Sequence, residues 1–371
     1  MPLSSQHELL MPDAAMAGAC PDEGGRRAEH AAGRVSGNAY AAFTDAYLAV
    51  LRDVTGGHAY QIASRGNAAR ETLNVSFTVT EPLARMPYLA ARKANVVFSH
   101  AEALWYLSGR DDLAMIAHYA PRLRRFSADG QCLTGSAYGS RLFRQDENGG
   151  SQFDRVIALL RADPDTKRAM MPIMQPGELA DPANPDVACT LGLQLLLRGG
   201  TLHMAAYMRA SDAVTGLLCD VFCFTFLQEH AARLLGVPVG TYTHHAGSMH
   251  VNIPDLPRAR AIVREAAATA PPRFPPAAMP AGRGGDLAVV LDWEQALRLN
   301  QRAAAPGEPG LAGLHPYWRE IVMLFEAHRQ ITRHPDRLVD PGTLAALRPG
   351  HRWLLGHRWP RNVPPDRGAG T

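Results

Sequence analysis

Apolar residues first settle into a helical period at Tyr40, Phe43, Tyr47, Val50 and Leu51, which predicts a helix where patterned sequence begins, near Asn38. Residues 72–80 alternate well enough for a strand, and residues 94–107 read as a second helix stopped by Gly109. Two strands are predicted over 191–197 and 202–208, joined by Gly199-Gly200, a pair suited to a tight hairpin. A long helix over 213–235 closes at Gly236, another strand follows over 242–251, and a last helix spans about 316–333 before a basic, Trp-containing tail. Between them, residues 268–284 (ATAPPRFPPAAMPAGRG) are too rich in Pro and Gly for regular structure. The expected organisation is a disordered extension (1–35), a mixed α/β catalytic domain (36–267), a connector (268–284) and a helical C-terminal appendage of the same domain (285–371). The first 34 residues lack an apolar period, and Val35 is an alternative start for the native chain.

Composition narrows the function classes. The chain has 371 residues, with 38 Lys+Arg against 35 Asp+Glu, a formal charge of +3 that argues against nucleic-acid binding through a broad basic face. No apolar run is long enough to span a membrane, and the N-terminus lacks the pattern of a secretory signal. Five irregularly spaced cysteines form no disulfide framework and no metal-ligand set, so a reducing cytoplasm and no metal are expected. Cys219 and Cys223, at helical spacing, read as packing residues. Only Lys93 and Lys167 are lysines, against an otherwise all-arginine cation set, so both positions stand out.

Candidate chemistry concentrates around the long helix. In VTGLLCDVFCFTFL (214–227) Asp220 is the only charged residue, and an isolated carboxylate there must be paired, neutralised or turned toward a polar pocket. It reads either as a structural capping group or as a ligand-recognition carboxyl with a raised pKa. Cys189 opens a strand after the loop DPANPDVA, as a packing residue or a nucleophile. Arg209 begins RASD beside the predicted helix N-terminus, as an anion site or a structural ion pair. Together they point to a phosphorylated substrate attacked by a thiolate.

The segments ACTLGLQLLL and RGGTLHMAAYMRASDAVTGLLCDV resemble the signature region of the thymidylate synthase family. Cys189, Gln194, Arg209, Asp212 and Gly216 fall on the family's ordered positions, AEALWYL places Glu102 on its catalytic glutamate, and AYGSR places Tyr138 and Gly139 on its Tyr-Gly pair. SRGN puts Arg65 on a phosphate-binding loop, DPDTKR puts Lys167 and Arg168 on two arginines that reach the partner subunit's phosphate site, and MHVN puts His250 on the ribose-binding histidine. The resemblance implies a thymidylate synthase-type α/β (α+β) fold, with a mixed sheet flanked by helices and one sheet face at a homodimer interface. It implies catalysis by Cys189, Glu102, Asp220 and Tyr138. It further implies nucleotide binding by Arg65, Lys167, Arg168, Gln194, Arg209, Ala210, Ser211, Asp220, His250 and Asn252, and use of 5,10-methylenetetrahydrofolate, held through Asp212, Gly216 and Glu102.

Departures from the family pattern carry the substrate expectation. Synthases have Asn where this chain has Asp220, as the deoxycytidylate hydroxymethylase branch does; a neutral acid matches the N3 acceptor and C4 amine of cytosine. No tryptophan occurs between Trp105 and Trp293, and the closing sequence that seals a synthase is missing, so water is the expected final nucleophile. Asn252 replaces a tyrosine, Ala210 a serine and Lys167 an arginine, changes that leave room for a 2′-hydroxyl. Across these positions the chain is similar to CMP 5-hydroxymethylases of mildiomycin-type nucleoside-antibiotic pathways. The expected function is 5-hydroxymethylation of CMP, ahead of dCMP hydroxymethylation, dUMP methylation, or a silent nucleotide-binding scaffold.

Overall fold

The computed structural model describes residues 38–56, 60–64, 66–147, 149–281 and 285–364, so the expectations for residues 1–35 and for Arg65 lie outside the described residues. Seven strands are present among the described residues: β1 (Asn38–Tyr40), β2 (Tyr60–Ser64), β3 (Asn67–Val79), β4 (Met170–Pro172), β5 (Thr190–Arg198), β6 (Thr201–Asp212) and β7 (Val239–Asn252). The helices are α1 (Phe43–Thr55), α2 (Val96–Leu107), α3 (Leu113–Tyr119), α4 (Tyr138–Phe143), α5 (Gln152–Ala162), α6 (Leu217–Leu235), α7 (Leu256–Ala268), α8 (Asp286–Arg298), α9 (Pro316–Arg333), α10 (Pro341–Ala345) and α11 (Pro349–Arg358).

The strands form one sheet in the order β1-β3-β7-β6-β5-β4, with β2 also paired to β3. It is mixed: β1–β3 and β6–β7 are parallel, and the other pairs are antiparallel. The β5–β6 turn is the predicted Gly199-Gly200, with φ of +55° and +73°, the left-handed values a two-residue hairpin requires and side chains resist. Parallel pairing of β6 with β7 sets Ala210 opposite Ser248 and Asp212 opposite His250, so the ends of both strands reach the same rim.

Helices cover one face of the sheet. Phe77, Leu193, Leu195, Met204, Ala206, Met208, Tyr242 and Ala246 point into that layer and are buried with Phe43, Tyr47, Trp105, Phe224 and Phe226 from the helices. Each large apolar side chain there contributes roughly 1.5–3 kcal/mol through removal from water. The opposite face carries a polar ladder instead. Ser76 Oγ hydrogen-bonds His245 Nδ1 (3.0 Å), His245 stacks on Tyr207 (5.1 Å between centroids), and the Tyr207 hydroxyl donates to Gln194 Oε1 (3.2 Å).

Three local differences from the sequence expectations have clear causes. Tyr40 belongs to β1, because Asn38–Tyr40 pairs in parallel with Phe77–Val79 before α1 begins. α6 starts at Leu217 and not at 213, because Asp212 Oδ1 accepts from the N–H groups of Val214 and Thr215 (2.9 Å each) and holds a turn there. Residues 270–281 carry no regular structure but have fixed contacts: Phe274 packs edge-on to Tyr88 (4.7 Å), and the Met279 N–H donates to Glu229 (2.6 Å), a buried carboxylate also paired with Arg85 (2.6 Å).

Candidate active site

Cys189 sits just ahead of β5, partly buried, where the strand carries a bulge between Thr190 and Gly192. Arg209 from the neighbouring β6 reaches across to it. Its guanidinium donates to the carbonyl oxygens of Val187 (2.9 Å) and Ala188 (2.8 Å) and lies 3.6 Å from the Cys189 sulfur. A cation that close favours negative charge on the sulfur.

α2 and α6 supply two carboxyl groups facing the same cleft. Burial pushes the Glu102 carboxyl up to about 7, opposed by the Cys223 thiol that donates to Oε2 (3.5 Å) and by the Arg122 charge. Burial also holds Asp220 well above the usual carboxylate range, and the nearby Glu102 and Asp212 charges add to the effect. Both residues retain partial exposure. Tyr138, buried at the head of α4, has its phenol raised well above its ordinary value by burial and then by the charges of Cys189 and Asp220. It stays protonated, a donor near the sulfur.

Gly139, directly after Tyr138, lets α4 approach α2: a Cβ there would lie 2.3 Å from Tyr106 Cα. Because folded Glu102 keeps its proton to about 7, against an ordinary 4.5, its burial makes stability depend on pH. Between those values the unfolded chain releases a proton that the folded chain holds. The contribution is full below 4.5 and lost as pH rises through about 7. It is on the order of 2 kcal/mol, discounted for the remaining exposure. Glu102→Gln is expected to flatten the fall in melting temperature from pH 5 to 8; identical slopes in both proteins would count against the buried-acid assignment.

The structure groups some expected site residues and separates others. Asp212, His250 and Asn252 meet at the rim made by β6 and β7, where the Asn252 amide donates to Asp212 Oδ2 (2.9 Å). Both Asp212 oxygens are thus engaged within the protein. Gly216 precedes α6, and a Cβ there would sit 3.4 Å from Asp220 Oδ2. Ala210 lies opposite Ser248 within the same pair of strands. Ser211 is buried, and its hydroxyl has no partner among the described residues. Gln194 is five residues along β5 from Cys189, roughly 15 Å at a strand rise of about 3.3 Å per residue. Its amide bonds the Lys167 carbonyl (2.9 Å) and the Tyr207 hydroxyl on the open sheet face. Lys167 and Arg168 are exposed at that edge, with Arg168 3.9 Å from Asp163.

Sequence reasoning missed a cationic cavity next to Glu102. About 170 Å³ in volume, it is lined by Arg92, Lys93, Arg122, Arg258 and Arg358 together with Cys219 and Tyr119. Arg122 and Cys219 feel the Glu102 charge, which places the cavity beside that carboxyl. Burial and mutual repulsion depress Arg258 and Arg358, and none of the five cations forms an ion pair among the described residues. The one available signal was Lys93, a lysine in an arginine-biased chain. Cys223, expected only to pack, also donates to Glu102. Among the described residues, no group of three or more His, Cys, Asp or Glu is arranged to hold a metal, and no helix is long and apolar enough to cross a membrane.

Comparison with known proteins bears on this arrangement. The chain is 34% identical over 206 residues to a deoxyuridylate hydroxymethyltransferase of Bacillus phage SP01, covering 52% of this chain and 53% of that protein. A deoxyuridylate hydroxymethyltransferase of Pseudomonas phage M6 is 29% identical over 47% of this chain and 50% of its own length. A thymidylate synthase of Symbiobacterium thermophilum is 24% identical over 44% of this chain and 62% of its own. The chain thus spans about half the length of the two hydroxymethyltransferases and less than two thirds of the synthase. Residues 45–274, more than half of the chain, match the sequence profile of the family described as thymidylate synthase, and they contain every site residue placed above except the distal cation Arg358. The chain belongs to the thymidylate synthase family.

Proposed function

We propose that the chain 5-hydroxymethylates CMP, taking its one-carbon unit from 5,10-methylenetetrahydrofolate and its oxygen from water, in nucleoside-antibiotic synthesis. The carrying observation is Asp220, an acid kept protonated by burial and neighbouring charge, in one cleft with Cys189, Arg209 and Glu102. Its OH donates to cytosine N3 and its carbonyl accepts from the C4 amine. The Cys189 sulfur adds to C6, with Arg209 stabilising its charge. This makes C5 nucleophilic toward the folate's methylene group, which is at the oxidation level of formaldehyde. C5 bonds that carbon, the C5 proton is lost, and tetrahydrofolate departs with the electrons of the broken C–N bond, leaving an exocyclic methylene that water can attack. Glu102, near 7, takes and returns protons through ordered water as C5 is functionalised and water adds to the exocyclic carbon. Departure of Cys189 restores the ring.

The folate fits the residues present. Five cations without carboxylate partners among the described residues line the cavity beside Glu102, and a dicarboxylate-bearing tail supplies the missing charge. His250 and Asn252 hold the ribose and Arg209 the phosphate. Lys167 and Arg168, exposed and distant from their own Cys189, serve the neighbouring site in a homodimer built on the open sheet face.

A second reading, hydroxymethylation of deoxyuridylate, draws on the names of the phage relatives. One experiment separates them: CMP, dCMP, UMP and dUMP are each incubated with the protein and methylenetetrahydrofolate, and products are identified by mass. The expected product is 5-hydroxymethyl-CMP with tetrahydrofolate. Preferential turnover of dUMP overturns the cytosine assignment, and a methylated base with dihydrofolate overturns hydroxymethylation.

A further inference from the structure

The Val187–Ala188 peptide, one residue ahead of Cys189, is held on both of its hydrogen-bonding edges. On one edge Arg209 takes the carbonyls of Val187 and Ala188 and reaches the sulfur. On the other, the Ala188 N–H donates to Glu178 Oε2 (2.6 Å). Glu178 lies on the 3-10 turn Pro176–Leu179, is almost fully buried, and pairs with the equally buried Arg141. Arg141 belongs to α4, the helix headed by Tyr138, and also donates to the carbonyls of Thr134 and Ile173. The two loops meet a second time where the Asp186 carboxylate accepts from the N–H groups of Gly135 (2.8 Å) and Ser136 (3.0 Å). They touch backbone to backbone there: a Cβ on Gly135 would lie 1.8 Å from the Asp186 carbonyl oxygen.

We propose that the Arg141–Glu178 pair positions the nucleophile, fixing the Val187–Ala188 peptide just ahead of Cys189 so that the sulfur meets Arg209 while Tyr138 stays in register with it. The inference rests on Cys189 being the reactive thiol. Charge distribution supports it. Arg141 balances Glu178, whereas Arg209 forms no ion pair among the described residues and keeps its charge for the sulfur. A glutamine at 178 cannot accept from Arg141 and from Ala188 with both of its atoms, so one buried donor loses its partner and the peptide can turn. Neither residue touches the reacting atoms.

The test uses the full chain and reads the thiol without turnover. Alkylation of Cys189 by iodoacetamide is followed by peptide mass spectrometry across pH, with Cys132 as internal reference. In Glu178→Gln the sulfur loses its alignment with Arg209. The Cys189 alkylation midpoint should then move to higher pH, and its rate at pH 7 should fall about tenfold, the size of one lost charge-assisted bond. Turnover of the preferred nucleotide should fall in kcat with KM changed less than about threefold. Arg141→Lys keeps the charge and gives up the reach to Thr134 and Ile173; an upward shift of smaller size is expected, and this variant serves if the first does not fold. An unchanged Cys189 profile in either folded variant overturns the proposal. So does faster alkylation, which means that the loop has merely loosened. Because alkylation needs no substrate, a wild-type protein without hydroxymethylation activity would defeat the functional reading while leaving this measurement decisive.

Discussion

Replacing Cys189 with alanine is expected to abolish product formation, by at least about 10⁴-fold in kcat, while nucleotide binding changes little. The size follows from the role. Without a sulfur to add at C6, C5 of cytosine has no enamine character, and the thiols of Cys219 and Cys223, pushed up by burial, stay protonated. Asp220, His250 and Asn252 are untouched by the change, and Arg209 keeps its bonds to the carbonyls of Val187 and Ala188, so the phosphate and base contacts survive. Product mass after long incubation, with calorimetric titration of CMP, checks both halves. Residual turnover within a hundredfold of wild type would remove the covalent step, and loss of binding would make the cysteine a structural residue.

Exchanging Asp220 for asparagine is expected to reverse base preference, with kcat/KM for cytosine over uracil changing by roughly 10³-fold or more, as sites built around hydrogen bonds discriminate. Asparagine donates to O4 and accepts from N3–H of uracil, and in that pose it sets its NH2 against the C4 amine of cytosine and its carbonyl against the N3 acceptor. The pH behaviour should separate the two proteins. Asp220 shares one proton with N3, so cytosine turnover falls as pH rises past the carboxyl's elevated value, whereas uracil turnover by the asparagine variant lacks that limb. Competition of CMP against UMP across pH is the measurement. Retained cytosine preference would mean that another group reads the base.

Much of the fold was legible wherever a local rule acted alone. The hairpin at Gly199-Gly200 needs only backbone conformations that glycine supplies, and α9 falls on the expected 316–333 because Pro316 opens it and its apolar period is unbroken. Short elements were not legible. β4 has three residues and exists because β5 offers an edge, and α4 is a six-residue helix whose position depends on Gly139 fitting against Tyr106. The start of α6 was misplaced because a side chain at Asp212 competes with the helix for the first N–H groups.

The site divides in the same way. Arg209 and Cys189 were readable as neighbours because adjacent stretches of β5 and β6 bring them together. The five-cation cavity was not, since its residues come from positions as far apart as Arg92 and Arg358 and only the folded chain assembles them. Glu178 gave no sign in sequence, because its value lies in where its two oxygens point.

That cavity has a thermodynamic consequence. Five like charges gathered without counter-ions work against the folded state, and unfolding disperses them. Only the folded chain presents the cluster, so any dianion that enters it adds to stability by mass action, by RT ln(1 + [L]/Kd). Folding and anion capture then draw on one free energy, and the amount of native protein rises and falls with any anion that fills the cavity.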